Sequence, residues 1–378
     1  MNDQNVYDIA VIGAGIAGAS VAFRLASERR VLVLERESQP GYHTTGRSAA
    51  MFIESYGPSA VRALTRASRD FFLSPPSGFA TQALLSPRAA LYVAKSDQHA
   101  MLAQQFEQLR ATCPELVRLD RDEAVAMVPC LRPEALYGAM LDEGAMDIDV
   151  DALHQGFLRG LHALGGSVRT RSEVVTAKRR GAFWELGLAG GDQVRASAVI
   201  NAAGAWADAV GRQFGARNIG LVPRRRTAFT FQPPAGVAFA TWPVVAGLDE
   251  TYYFKPDAGV LLGSPANADP MPPHDVVAEE IDVATGIHHI EAATTLTIRR
   301  PLRTWAGLRS FVPDGEMVIG WDAQCDGFFW LAGQGGYGIQ SAPGASEFAA
   351  SLVLGAPLPQ ALLAQGLDSN AVTPRRLP

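Results

Sequence analysis

Apolar and polar positions change period several times along this chain, and the first change carries the most information. Tyr7 to Ile12 is a nearly unbroken apolar run, as expected of a parallel strand buried on both faces. Gly13, Gly15 and Gly18 follow, then helical text, and a second apolar run from Val31 to Leu34 ends at Glu35. This order predicts a nucleotide-binding βαβ unit. Gly13 permits the tight turn, Gly15 lets the backbone approach a pyrophosphate, and Gly18 lets helix and strand pack closely. Ile16 and Ala17 open a helix whose bare N–H groups attract phosphate. Glu35 is placed to accept hydrogen bonds from a ribose diol, with Arg36 beside it.

Further along, Val61, Leu64, Phe71 and Phe72 predict an amphipathic helix over 59–73, ended by Pro75, Pro76 and Gly78. A strand is expected near Ala90 to Val93 and a polar helix from Gln98 to Arg110. Acidic residues 147–151 cap a helix from Ala152 to Leu164, which Gly165 and Gly166 stop. Short strands follow over 167–169, 174–178, 183–188 and 193–196. A separate buried strand from Ala198 ends in the small residues Ala203 and Gly204, beside a nucleotide. Strand-like text dominates 221–300. At the far end, Phe328 to Ala332 reads as a strand, Gly333 to Gly338 as a glycine-rich loop, and Ile339 to Leu354 as a helix. A nicotinamide enzyme needs one such loop for its cofactor. A chain that feeds flavin contacts from both ends carries two, unless the second loop serves only to reverse the chain.

At 378 residues the chain exceeds a comfortable single core, so two joined domains are expected. A formal net charge of −5, with 33 scattered basic residues, leaves no electrostatic footprint for nucleic acid. Cys113, Cys130 and Cys325 are odd in number and far apart, which fits a reduced cytoplasmic protein better than a disulfide framework or a zinc site; no metal is expected. A short polar lead runs directly into the first strand without the regions of a signal peptide. No apolar run reaches membrane-spanning length, which leaves peripheral membrane contact open.

Longer motifs stand out as well: Gly41-Tyr42-His43-Thr44-Thr45-Gly46-Arg47-Ser48-Ala49-Ala50, Leu84 to Arg88, Thr294 to Pro301, Trp305 to Phe311, and Gln334-Gly335-Gly336-Tyr337-Gly338-Ile339-Gln340. By itself the first is backbone text suited to lie against a flat cofactor, or an ordinary helix-initiating loop capped by Thr45 or Ser48. Together they resemble the FAD-dependent oxidoreductases of the D-amino-acid oxidase superfamily, and among these look most like catabolic D-arginine dehydrogenases. The resemblance implies an α/β fold: a discontinuous Rossmann-like FAD-binding domain over 1–85, 145–220 and 305–378, with a mixed β-sheet substrate domain over 86–144 and 221–304. It also implies that Thr45 to Ala49, Val174, Ala203, Gly204, Trp206 and 335–340 join the glycine-rich turn in holding FAD. Relatives with covalent flavin carry a cysteine near the position of Arg309, and none lies there, so non-covalent FAD is expected.

Oxidation of an amino acid requires its Cα–H aimed at flavin N5, a neutral amine and a carboxylate held in place. A guanidinium fork suits the carboxylate. Arg309 is the stronger candidate. Arg226 is weaker, because Arg224 and Arg225 beside it also read as a solvated basic turn. Tyr56 and Tyr253 are the hydroxyl partners implied by the resemblance; Tyr252 and Tyr253 alternate on a strand, so one of them faces the site. Gly336 falls where relatives bring a backbone carbonyl to the amine, and Gln340 where they bring a side chain near the flavin. Met51, Ile53, Ala90, Val244 and Ala246 line the matched side-chain pocket. The D-arginine dehydrogenase pattern has a glutamate at Ala90 and a histidine at Met51. Their absence implies an apolar pocket and a neutral D-amino acid, oxidised to an imino acid that hydrolyses to a 2-keto acid and ammonia, with oxygen or a quinone as electron acceptor. The same clamp would serve a secondary amine or a 2-hydroxy acid. A flavoprotein subunit of a hetero-oligomeric dehydrogenase is the remaining alternative.

Overall fold

The computed structural model describes residues 6–377; the polar lead over 1–5 lies outside the described residues. Val6–Ile12 forms the centre of an eight-stranded sheet, parallel to Val31–Leu34 on one side and to Gln193–Asn201 on the other. Both neighbours cover its edges, and helices cover its faces, which is why its text is apolar without alternation. Ile16–Leu25, Ser59–Leu73 and Ala342–Leu354 pack with Val11, Val33, Phe329 and Leu331 on one side. Trp184, Val199, Phe214 and Trp330 fill the other.

Gln193–Asn201 is one strand, where two had been expected. Its first half pairs with Phe183–Leu188 and its second with Phe328–Ala332, while the first strand spans both halves from Val6↔Arg195 to Ile12↔Asn201. That continuous partner removes the break.

A second, nine-stranded sheet is mixed. Val222–Phe231 pairs with Val260–Ser264 and with Arg303–Phe311, and the sheet continues through Tyr253–Asp257, Val244–Gly247, Ala90–Lys95, Leu136–Asp142 and Leu116–Asp120. Arg303–Phe311 therefore hydrogen-bonds into this sheet, although most of it falls in a piece expected to belong to the nucleotide-binding part. The strand-rich stretch 221–300 also contains an unexpected helix, Glu280–Ala293, whose buried Val283, Gly286 and Ile290 pack under the sheet. Met51–Phe52, Met146–Ile148 and Leu85–Pro87 form a small third sheet.

Candidate active site

Two adjoining cavities run between the sheets, of about 250 and 230 Å³, and share Gly15, Thr44, Thr45, Ala202 and Gly204 along their walls. The smaller is lined by Gly13, Glu35, Arg36, Val174, Ala203 and Trp206, so the turn and the terminal acid face one space. Gly13 adopts a φ of +97°, which the tight turn demands and other residues rarely tolerate. Glu35 is buried; its carboxylate accepts from the Ala14 N–H at 2.8 Å and the Glu37 N–H at 2.9 Å. Arg36 lies 4.4 Å over the Trp206 ring.

Thr45 does not cap its own turn. Its Oγ1 accepts from the Ile16 N–H at 3.0 Å and so closes the open end of the first helix from 29 residues away. Arg47 donates to the carbonyls of Val276 at 2.8 Å and Ala306 at 3.1 Å and pairs with Asp275. Thr44 Oγ1 donates to the Leu308 carbonyl at 2.7 Å. These bonds tie the Thr44–Ser48 stretch to the strand that carries Arg309.

The larger cavity brings together Ile16, Ala17, Arg47, Ser48 and Ala49 with Gly335, Gly336, Gly338, Ile339 and Gln340 from the distant glycine-rich loop. Gly18, Gly46 and Tyr337 line neither cavity. A side chain at Gly18 would strike the Gly13 carbonyl, Gly46 donates its N–H to the Gly41 carbonyl, and the Tyr337 ring packs against Tyr56 and Phe311 behind the loop. The helix after this loop starts at Ala342, three residues later than expected, because the loop continues through Gln340. Gln340 is itself fully engaged. Its carboxamide accepts from the Ile53 N–H and donates to the Ile53 carbonyl, both at 3.2 Å, and reaches Thr65 Oγ1 at 3.1 Å, so it positions Ile53 and has no donor left over for a substrate.

Arg224, Arg225 and Arg226 lie on Val222–Phe231 and point alternately to its two faces. Arg225 turns under the sheet to Asp282 at 2.8 Å, Asp269 at 3.7 Å and Glu279. Arg226 faces the cavity, one diagonal step from Arg309 on the paired strand. The expected solvated basic turn is therefore absent. Arg309 Nη1 donates to Tyr56 Oη at 3.4 Å, while Arg226 Nε is buried without a hydrogen-bond partner. Among the described residues neither guanidinium forms an ion pair with a carboxylate. Burial, and then the charge of Arg309, lowers Arg226 to about 10. Burial also opposes the charge of Arg309, but Tyr56 and Tyr253 more than offset it. Two unpaired cations beside a cavity make an anion site. Gly336 allows its close packing, because a Cβ there would come within 2.6 Å of Arg309 Nη1.

Lining the same cavity, Ile53, Ala90 and Val244 form with Ala145 a buried apolar cluster against Met51, Tyr56, Tyr92 and Tyr253, and Ala246 extends the wall. Tyr253 faces this cluster, whereas Tyr252 is mainly packed in the core beneath the sheet. The pocket is less uniformly apolar than expected. Lys255, two residues from Tyr253 on the same strand face, also lines it and is held by Asp147 at 2.5 Å, which in turn takes Arg88 at 2.7 Å. Glu250 stands exposed at the rim in a left-handed backbone conformation, with φ of +55°. Strand alternation from Tyr253 and from Ala90 was the signal that would have found Lys255 and Tyr92. Nothing in the local text marks Glu250.

None of the three cysteines lines either cavity. No helix among the described residues is long and apolar enough to cross a membrane, and no group of metal-ligating side chains is found there.

The sequence model of the family DAO, FAD dependent oxidoreductase, matches residues 8–352. Glycine oxidase of Bacillus licheniformis is 24% identical, over 93% of this chain and 94% of that protein. Among solved structures, glycine oxidase from Geobacillus kaustophilus superposes with a TM-score of 0.81 at 22% identity, covering 94% of this chain and 96% of that one. Iminodiacetate oxidase from Chelativorans sp. BNC1 gives 0.79 at 23% identity, covering 93% and 96%. The cavities fit the cofactor of such a family. A glycine-rich turn, a helix N-terminus and a terminal acid lie at one end of a continuous groove, and a second glycine-rich loop lies at the other.

Proposed function

Because this chain belongs to the DAO family of FAD-dependent oxidoreductases and holds FAD non-covalently, we propose that it oxidises a D-amino acid with a neutral side chain to the imino acid, which hydrolyses to a 2-keto acid and ammonia. The observation that carries the reading is the pair of cavity-facing guanidiniums without carboxylate partners, set against an apolar wall. Gly13, Gly15, Glu35 and the Thr45–Ala49 and Gly335–Ile339 backbones would hold FAD, which when bound supplies the two-electron acceptor. Arg309 takes the substrate carboxylate, with Arg226, Tyr56 and Tyr253 completing its surroundings, and so fixes which way the Cα–H points. Ile53, Ala90 and Val244 receive the side chain and exclude water.

The D-configuration rests on the likeness of the motifs to D-arginine dehydrogenases, and the neutral side chain on Ala90 and Met51. Asp147 is taken by Lys255 and Arg88, Asp142 is buried and bonded to Ser55, and Glu250 stands at the rim, so a substrate guanidinium at Ala90 would lose hydration without gaining a carboxylate of its own. A secondary amine or 2-hydroxy acid is the second reading, favoured by the likeness to a protein named for iminodiacetate. Anaerobic mixing with a panel of D- and L-amino acids, secondary amines and 2-hydroxy acids, followed at the oxidised flavin band, separates them. Bleaching by neutral D-amino acids supports the proposal. Bleaching only by L-isomers or by the other classes refutes it.

A further inference from the structure

An amino acid enters such a site as an ammonium zwitterion, and the carbon–hydrogen bond is oxidised only once the nitrogen is neutral. A proton must therefore leave the cavity. Arg226, Arg309 and Lys255 line it as cations and do not take one, and Glu250 is at the rim. Tyr92 lies on Ala90–Lys95 with its ring on the same face as Ala90, and it lines the cavity. Behind it the Ser55 hydroxyl donates to Asp142 Oδ2 at 2.5 Å, and the strand pairing sets Tyr92 diagonally from Asp142 on the same face, within the reach of an aromatic side chain. Asp142 is directly paired with Ala90 on the neighbouring strand, so its side chain shares the face of Ala90 and Tyr92. It is 5% exposed and accepts hydrogen bonds from Ser55 and, at 3.2 Å, from the Gly144 N–H.

We propose that Tyr92, Ser55 and Asp142 form a proton relay that deprotonates the substrate ammonium, with Asp142 as the final acceptor. The inference rests on the amine-oxidising reading above. The polarity of the chain follows from its end: a carboxylate only accepts, so Ser55 donates to Asp142. Ser55 Oγ is then an acceptor for the Tyr92 hydroxyl, and a lone pair on Tyr92 Oη is left for the cavity. One N–H bond of the ammonium breaks as the Tyr92 oxygen gains that proton; Tyr92 passes its own to Ser55, and Ser55 passes its own to Asp142. The nitrogen keeps its electron pair, both hydroxyls end neutral, and the carboxylate ends as a carboxylic acid.

The surroundings suit a terminal base. Burial raises Asp142 above the usual carboxylate range, the Ser55 and Gly144 hydrogen bonds lower it in part, and the Glu54 and Glu115 charges raise it again. Glu54 is paired with Arg69 at 2.7 Å, and the buried thiol of Cys113 also lies close enough to feel Asp142. Burial raises the Tyr92 phenol, so it stays neutral and acts as a conduit.

The test uses the FAD-loaded enzyme and a substrate already shown to bleach it, so a failed panel refutes the amine reading and not the relay. With the relay in place, the rate constant for anaerobic flavin reduction falls on the acid side as Asp142 protonates. Asp142→Asn and Ser55→Ala should each lower it about 100-fold at neutral pH and abolish that acid limb, while Ser55→Thr, which keeps the hydroxyl, should restore most of the rate. Infrared difference spectra on mixing should show a protonated carboxyl band in the parent that Asp142→Asn lacks. The affinity for acetate, read from the flavin spectrum, should not change. Variants that reduce flavin as fast as the parent overturn the relay. So does a uniform loss with the acid limb unmoved, which marks a structural role.

Discussion

Arg309→Ala removes the cavity-facing guanidinium that keeps its charge most firmly. In the parent, Arg309 is flanked by Tyr56 and Tyr253 and, among the described residues, meets no carboxylate, so a substrate carboxylate is its first full partner. Losing one member of such a desolvated pair costs about 3–5 kcal/mol. At about 1.36 kcal/mol per factor of ten, kcat/KM should fall roughly two to four orders of magnitude. Arg226→Ala should cost less, because burial and the charge of Arg309 already work against its cation. Stability should move the other way: deleting one of two like charges relieves their repulsion, so the Tm of the FAD-loaded Arg309→Ala protein should hold or rise. Steady-state kinetics with the best amino acid and a thermal melt of the same preparation measure both. A loss below tenfold would show that the carboxylate is held elsewhere, and a lowered Tm with unchanged kcat/KM would make Arg309 a structural residue.

Ala90→Glu should shift selectivity toward D-arginine by roughly ten- to a hundred-fold relative to a neutral D-amino acid, since a charge-assisted hydrogen bond contributes about 1.5–3 kcal/mol; a parent that already prefers D-arginine contradicts the pocket assignment. Glu35→Ala should weaken FAD retention on gel filtration while leaving turnover at saturating FAD nearly unchanged, and equal retention would place the ribose elsewhere. In Asp249, burial raises the carboxyl, but hydrogen bonds from Lys95, Thr251 and Gln98 carry it down to about 2. A depressed carboxyl stabilises the fold above its unfolded value, and the contribution disappears as pH falls toward 2. Asp249→Asn should therefore cost about 1–2 kcal/mol near pH 6, after allowing for the exposure of Lys95, and about a third of that near pH 2.5; an equal Tm difference at both pH values would refute the linkage.

The glycine-rich turn, the helix of Ser59–Leu73 and the strands that follow residue 167 were legible because each is patterned by its own local burial. Glu280–Ala293 was not. Its buried stripe runs through Val283, Gly286 and Ile290, and β-branched residues with a glycine read locally as strand. Gly286 is there because Phe229 and Pro265 leave no room for a Cβ, which is a tertiary reason. The cap from Thr45 to Ile16 escaped for a similar cause, since its partner is 29 residues away. The three consecutive arginines read as a charge run until strand alternation separated Arg225 and its acids from Arg226 and the cavity. Tyr56, Tyr253, Arg226 and Arg309, singled out from the sequence by resemblance, all reach the larger cavity. Gly18, Gly46 and Tyr337 line neither cavity and hold the surrounding backbone in place, while Gln340 lines the larger cavity and also bonds Ile53 and Thr65.

The central sheet has a consequence for how the protein is made. Val6–Ile12 emerges first from the ribosome, yet its partner Gln193–Asn201 comes much later, and the strand beyond that, Phe328–Ala332, later still. At about 5–20 residues per second, the first strand waits roughly 10–40 s for one neighbour, and the sheet needs roughly 16–64 s before its last parallel strand exists. Until then the nascent chain presents an apolar, hydrogen-bond-hungry edge, the kind of surface that recruits other strands or a chaperone. A chain cut before residue 328 also lacks the loop that completes the larger cavity, so abortive products should be prone to aggregate and poor at retaining flavin.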